Sequence, residues 1–253
     1  MTPRTLLALS AAVLAFSAGA LAFDGSVGTG SGTAVAAEAT HDSARVHVSN
    51  AKLRRVDSIE LDAESLVLRN GRKTVVESSM RDSGLTVGLL DRLLGTPSRT
   101  QTAEGDGGAC FPAGTTYTWG GAIRVAALST DARAGNAVEI RVLRDQVRSR
   151  TGKQIELTGP DGVQVGDDIA DEIADASPAE RVSFGSADSR AWQLLLETGW
   201  APGDESDDDP DDDAGDSDGG SARSGTNGVS ALTNETTVTV LGSPMPVHAE
   251  RTC

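Results

Sequence analysis

Gly84-Leu85-Thr86-Val87-Gly88 and Gly162-Val163-Gln164-Val165-Gly166 form the near-repeat on which the reading of the fold turns. Each has glycine at both ends and valine in fourth place, and each leads into a run with helical spacing. Leu89 to Leu94 follows the first copy and is stopped by Gly95-Thr96-Pro97. Residues 167–176 follow the second, with Ile169 and Ile173 four apart on one helical face and Pro178 as the stop. Asp167 or Asp168 suits the first turn there, where a carboxylate offsets the helix dipole. Strand-like runs come after each copy: 116–119, 123–128 and 137–143, then 192–196, 229–232 and 237–241. The pattern predicts an α+β fold of two helix-plus-antiparallel-sheet units, residues 44–150 and 151–253. A short helix covers only part of one sheet face, so the two units are expected to pack together.

Ahead of the first copy, residues 65–77 predict a β-hairpin. Leu66-Val67-Leu68 and Thr74-Val75-Val76 flank Asn70-Gly71, a dipeptide that accepts the left-handed conformations of a tight turn. Alternation at 45–48 and the short apolar run 59–61 extend this hairpin region, so the ordered fold is expected to begin near Ala44. Residues 23–43 are rich in Gly, Ser, Thr and Ala without periodicity, the composition of a flexible leader.

Residues 1–22 follow the order of a secretory signal peptide. Arg4 supplies positive charge, Leu6 to Leu21 an apolar stretch and Ala20-Leu21-Ala22 a small-x-small site, with cleavage expected between Ala22 and Phe23. An uncleaved anchor is the alternative, but Ser10, Ser17 and Gly19 interrupt a stretch shorter than the ~20 residues of a spanning helix. No Cys stands at the cleavage site to carry a lipid, and no later apolar run is long enough to span. A secreted or extracytoplasmic protein, free of the membrane once the signal is removed, is expected.

Cys110 and Cys253 are the only cysteines. In an oxidising compartment they predict one disulfide, with two unpaired thiols as the alternative. Chain-entropy reasoning gives such a long loop roughly 4 to 5 kcal/mol of stabilisation. The net charge of -15 is largely local, because 203–220 carries ten acidic residues and no basic one. Residues 199–226 therefore read as a disordered acidic insert in the second unit. With no basic surplus to neutralise phosphates, nucleic acid is excluded as an expected partner.

Several stretches together resemble a group of uncharacterised secreted proteins of high-GC Gram-positive bacteria (actinobacteria). They are Leu94-Gly95-Thr96-Pro97, Cys110 with Tyr117-Thr118-Trp119-Gly120-Gly121, the run from Gly159-Pro160 through Gly166-Asp167, Asn227-Gly228-Val229-Ser230-Ala231-Leu232, and Gly242-Ser243-Pro244-Met245-Pro246-Val247. These motifs are structural, so the resemblance implies a domain and no activity. The helix-then-strands duplication is also similar in outline to β-lactamase-inhibitor-protein-like repeats, whose members are commonly binding or scaffolding proteins; fold-level analogy of this kind assigns no function.

There is no Gly-x-Ser-x-Gly elbow, phosphate loop or dinucleotide fingerprint, and Gly28, Gly30 and Gly32 sit in the leader. His41, His47 and His248 share no helical spacing with another ligand and read as bystanders. Asp207 to Asp213 lacks the fixed turn and closing Glu of a tight calcium loop. A glycosidase would need two carboxyls across a cleft and aromatic walls, and aromatics are 3% of the chain. Tyr117 and Trp119 alternate in one strand and read as core, as do Trp192 and Trp200. No catalytic, cofactor-binding or metal-binding residue is assigned. The expectation is a non-catalytic exported protein that offers a sheet surface to a protein or cell-wall partner. The alternative is a secreted hydrolase with a carboxylate-based site, which predicts converging acids with perturbed pKa values.

Overall fold

The hairpin shows how local chemistry and burial act together. In the computed structural model β2 (Ser65–Asn70) pairs antiparallel with β3 (Lys73–Ser79), and Asn70 faces Lys73 across the two-residue turn Gly71-Arg72. Gly71 takes φ +56, the left-handed value glycine adopts without a Cβ penalty. Leu66 and Leu68 of β2 are fully buried. The described residues are 48–104, 113–129, 135–186, 189–200 and 227–248. The expected signal peptide with its Ala22/Phe23 cleavage point, the expected leader at 23–43, Cys110 and Cys253 of the expected disulfide, and residues 201–226 of the acidic segment lie outside them.

β1 (Ser58–Leu61), β8 (Gln146–Arg148) and β9 (Gln154–Thr158) complete a five-stranded sheet in the order β3-β2-β1-β9-β8. All its pairs are antiparallel except β1 with β9. An eight-stranded antiparallel sheet holds β4 (Arg99–Ala103), β5 (Gly114–Trp119), β6 (Ile123–Leu128) and β7 (Val138–Val142), with β10 (Arg181–Ser186), β11 (Ser189–Thr198), β12 (Gly228–Asn234) and β13 (Thr237–Ser243). Its order is β10-β11-β12-β13-β7-β6-β5-β4, so β13 pairs with β7 where the two runs meet.

Both sheets share one hydrophobic core. Ile59, Leu61, Leu66 and Leu68 come from the smaller sheet, and Ile123, Val125, Ile140, Val229 and Leu241 from the larger. Each fully buried aliphatic side chain contributes about 1.5 to 3 kcal/mol by leaving water, which explains why a strand from one half of the chain joins a sheet of the other. Ile155 and Leu157 of β9, which lies beside β1, are fully buried in that common core. The boundary expected at residue 150 falls within the β8–β9 hairpin, and the smaller sheet draws strands from both sides of it.

The helices are few and short: α1 (Asn50–Leu53), α2 (Ser83–Leu94) and α3 (Ala170–Asp175). α2 begins at Ser83, one residue before the first copy of the repeat, and takes in the whole of it. Asp82 Oδ1 accepts from the Leu85 amide at 2.8 Å, capping the helix, and Thr86, Leu89, Leu90, Leu93 and Leu94 turn inward. It ends at Gly95, φ +90, whose amide donates to Asp91 O at 2.9 Å. The second copy is not helical. Pro160–Gly162 form a single 3-10 turn, Gly162 and Gly166 take φ +81 and +102, and α3 starts only at Ala170. Asp168 Oδ1 accepts from the Ala170 amide at 3.2 Å, whereas Asp167 closes a local turn on the Gln164 amide at 2.8 Å; both acids precede the first turn they were expected in. Among the described residues no helix is long and apolar enough to cross a membrane.

Candidate functional site

Among the described residues three places gather chemistry-bearing side chains. The first is the β10 end of the larger sheet, beyond which no described strand pairs. β10 is its terminal strand, and Phe184 in the middle of that strand is 44% exposed, the one large apolar side chain so exposed among the described residues. Ser183 faces Trp192 of β11 across the ladder, which places Phe184 on the opposite face from Trp192. Trp192 is half-buried, with the guanidinium carbons of Arg181 and Arg190 at 5.6 and 5.5 Å from its ring centroid. Arg181 is held there by donating to the carbonyls of Ile173 and Ala174 at the end of α3.

The second is a cavity of about 280 Å³ bordered by α1, the last turn of α2 and the β8–β9 loop. Leu53, Val56 and Leu93 supply apolar lining, and Arg54, Arg92, Arg150 and Lys153 supply four positive charges with no acidic residue in the lining. Arg92 donates to Asn50 Oδ1, at 2.8 Å from Nη2 and 3.1 Å from Nε, and to Val48 O. Lys153 Nζ donates to Val56 O at 2.9 Å and Arg55 O at 3.3 Å. Their anchors are neutral oxygens. None of the four cations forms an ion pair among the described residues. A second cavity, about 240 Å³, has Arg124 and Arg141 on its wall but Glu139 among them, so its charge is partly offset.

The third is a group of acids around the β1–β2 turn. Burial first, and then the charges of Glu60 and Glu197, push the Asp62 carboxyl up to about 6, against the opposing pull of Arg69. Burial also raises Glu64. These are the perturbed acids the hydrolase alternative called for. Two of the group are already engaged: Glu60 pairs with Arg69, and Glu197 Oε2 accepts from the Ala63 amide at 2.8 Å. Neither cavity described above is lined by them.

The residues singled out from sequence divide cleanly. Trp119 is core, 2% exposed, stacked on Tyr117 at 6.1 Å between centroids and donating to Gly95 O at 2.8 Å. Tyr117, Trp192 and Trp200 are partly buried and pack against the margin of the core, both tryptophans beside arginine; Arg81 lies 4.4 Å from the Trp200 ring. A margin position follows from the strand: Trp192 lies two residues before buried Leu194, where β11 runs out from under the core. His248 is exposed and bonds Pro178 O at 2.9 Å, while His41 and His47 lie outside the described residues. Ser243 and Met245, in one of the motifs behind the resemblance, tie strands together: Ser243 Oγ donates to Ala63 O at 3.0 Å, and Ser230 Oγ donates to Met245 O at 2.6 Å.

The basic cavity was missed because its cations come from positions 54, 92, 150 and 153 in a chain of net charge -15. The available signal was two short basic runs, Lys52 to Arg55 and Arg148 to Lys153, standing apart from the acidic insert. No family model matches the chain, and comparisons with curated proteins and with solved structures find no match either.

Proposed function

We propose that this is an exported, non-catalytic binding protein that takes an extended segment of a protein partner in the cell envelope along the free edge at β10. The exposure of Phe184 on a terminal strand is the observation that carries this reading. Sheet edges left open usually carry charge or proline in place of a large apolar side chain, because they otherwise pair with other chains. A strand added beside β10 would gain main-chain hydrogen bonds. Phe184 on one face and the Arg-flanked Trp192 on the other would select its side chains.

In this reading the larger sheet is two helix-plus-sheet units, α2 with β4–β7 and α3 with β10–β13, joined at β7 and β13. The order of strands supports it, since each run is contiguous in the sheet. The likeness to secreted actinobacterial proteins and to β-lactamase-inhibitor-protein-like repeats belongs to the same proposal.

Purified protein used as bait on envelope extract tests it. Enrichment of one partner by the native chain, lost in Phe184→Lys of unchanged melting temperature, is the expected result. Equal recovery by that variant overturns it. The hydrolase reading rests on Asp62; it requires turnover of a peptidoglycan or ester substrate that disappears in Asp62→Asn.

A further inference from the structure

We propose that the cavity between α1, α2 and the β8–β9 loop binds a small organic phosphate, with the phosphate on Arg54, Arg150, Arg92 and Lys153 and the carbon body over Leu53, Val56 and Leu93. Charge is the first reason. Four cations converge on one cavity without a carboxylate in its wall, in a chain whose net charge is -15. Assembling like charges is unfavourable unless something offsets them, and the neutral oxygens that hold Arg92 and Lys153 fix their positions without cancelling their charge.

Donor geometry is the second reason. Guanidinium forks match phosphate oxygens in paired hydrogen bonds, and an ammonium adds a point charge beside them. A dianion answers four cations better than a single carboxylate does. Arg54 and Arg150 make no side-chain hydrogen bond among the described residues, so their donors face the cavity uncommitted. The carbonyl oxygen of Leu93, at the negative end of α2, is taken by the Arg150 amide at 3.0 Å and does not compete for the guanidinium.

Size is the third. About 280 Å³ exceeds what a bare phosphate fills and approaches the roughly 300 Å³ at which pockets for small organic ligands begin. Leu53, Val56 and Leu93 form the cavity floor while only 1 to 4% exposed, so the apolar patch they offer is small and carries no polar side-chain group.

The site is separate from the β10 edge, and its test is independent of that reading. Calorimetric titration of the purified protein at low ionic strength with phenyl phosphate should show binding roughly tenfold tighter than inorganic phosphate, the ring covering the apolar wall. The double variant Arg54→Gln, Arg150→Gln leaves the anchored pair intact and should weaken phenyl phosphate roughly 100-fold, about tenfold for each charge-assisted donor pair. If the double variant melts early, the native protein still decides the matter: affinity should fall several-fold between about 20 and 200 mM salt. Phe184→Lys should titrate as the native chain does. Absence of binding at about 10 mM phenyl phosphate, equal affinity for inorganic phosphate, native affinity in the folded double variant, or salt-independent binding overturns the proposal.

Discussion

The two glycine-bounded pentapeptides share a pattern and take opposite backbones, and each ends up feeding a different surface. Gly84 to Gly88 winds as the first turns of α2, whose last turn delivers Arg92 and Leu93 to the basic cavity. Gly162 to Gly166 stays unwound, lends Gly166 N to Val238 O at 2.8 Å, and leads into α3, whose terminal carbonyls hold Arg181 against Trp192. Context chooses between them. Asp82 caps the first copy, and Thr86 within it reaches Ser78 of β3 through a buried hydroxyl pair at 2.8 Å. The second copy follows Pro160: Gly162 and Val163 donate to the carbonyls of Gly159 and Pro160 in a tight local turn, and Gly166 donates to Val238 O of β13. A five-residue pattern sets neither outcome; the neighbours that satisfy its amides do.

The largest expected effect separates the two helices by what they bury. Leu90 of α2 is fully buried among Leu89, Leu93 and Leu94, so Leu90→Ala should cost about 3 to 5 kcal/mol in urea unfolding. Ile173 is the one buried residue within α3, and Ile173→Ala should cost about 2 kcal/mol. A larger loss at Ile173 would break the ranking. Next in size, Thr86→Val strands the Ser78 hydroxyl in the core and should cost about 1 to 3 kcal/mol. Gln164→Val at the equivalent place, half-buried in the unwound copy, should be near neutral.

A pH titration sharpens the contrast on the second-copy side, because the β1–β2 turn leans on β11 through Glu197 and on β13 through Ser243. Folded Asp62 holds its proton up to about 6, against the ordinary 3.8. Between those values the folded chain binds more protons than the unfolded one. The stability neutral Asp62 contributes is complete below the ordinary value and is lost as pH rises through about 6. With allowance for its exposure, the change should be about 1 kcal/mol. Asp62→Asn should flatten that part of the profile.

Legibility from sequence followed the range of the forces. The 65–77 hairpin was readable because Gly71 and the flanking alternation act locally. The strands of the larger sheet were readable wherever they bury one face, as in Ile123, Val125 and Ile140. β4 was not, since all five residues are exposed and carry no alternation. The pairing of β9 with β1 was invisible because it depends on a core assembled from both ends of the chain. The N-terminal half of α2 was hidden by Gly84 and Gly88, which argue against a helix unless the Asp82 cap is counted. Trp192 looked like an ordinary core residue of a strand, β10 with Phe184 was not among the expected strands, and only the strand order makes β10 an edge.

Gly88→Ala and Gly166→Ala, melted side by side, test most directly whether the two copies hold opposite backbones. At both positions an added Cβ meets open space, so conformation alone decides the outcome. Gly88 lies inside α2 and Gly166 stands at φ +102. Alanine at 88 should stabilise by about 0.5 to 1 kcal/mol, and alanine at 166 should destabilise by about 1 kcal/mol. Those changes are shifts of a few degrees in opposite directions, on the order of 2 to 4 °C per kcal/mol for a domain of this size. Shifts of the same sign would contradict the account.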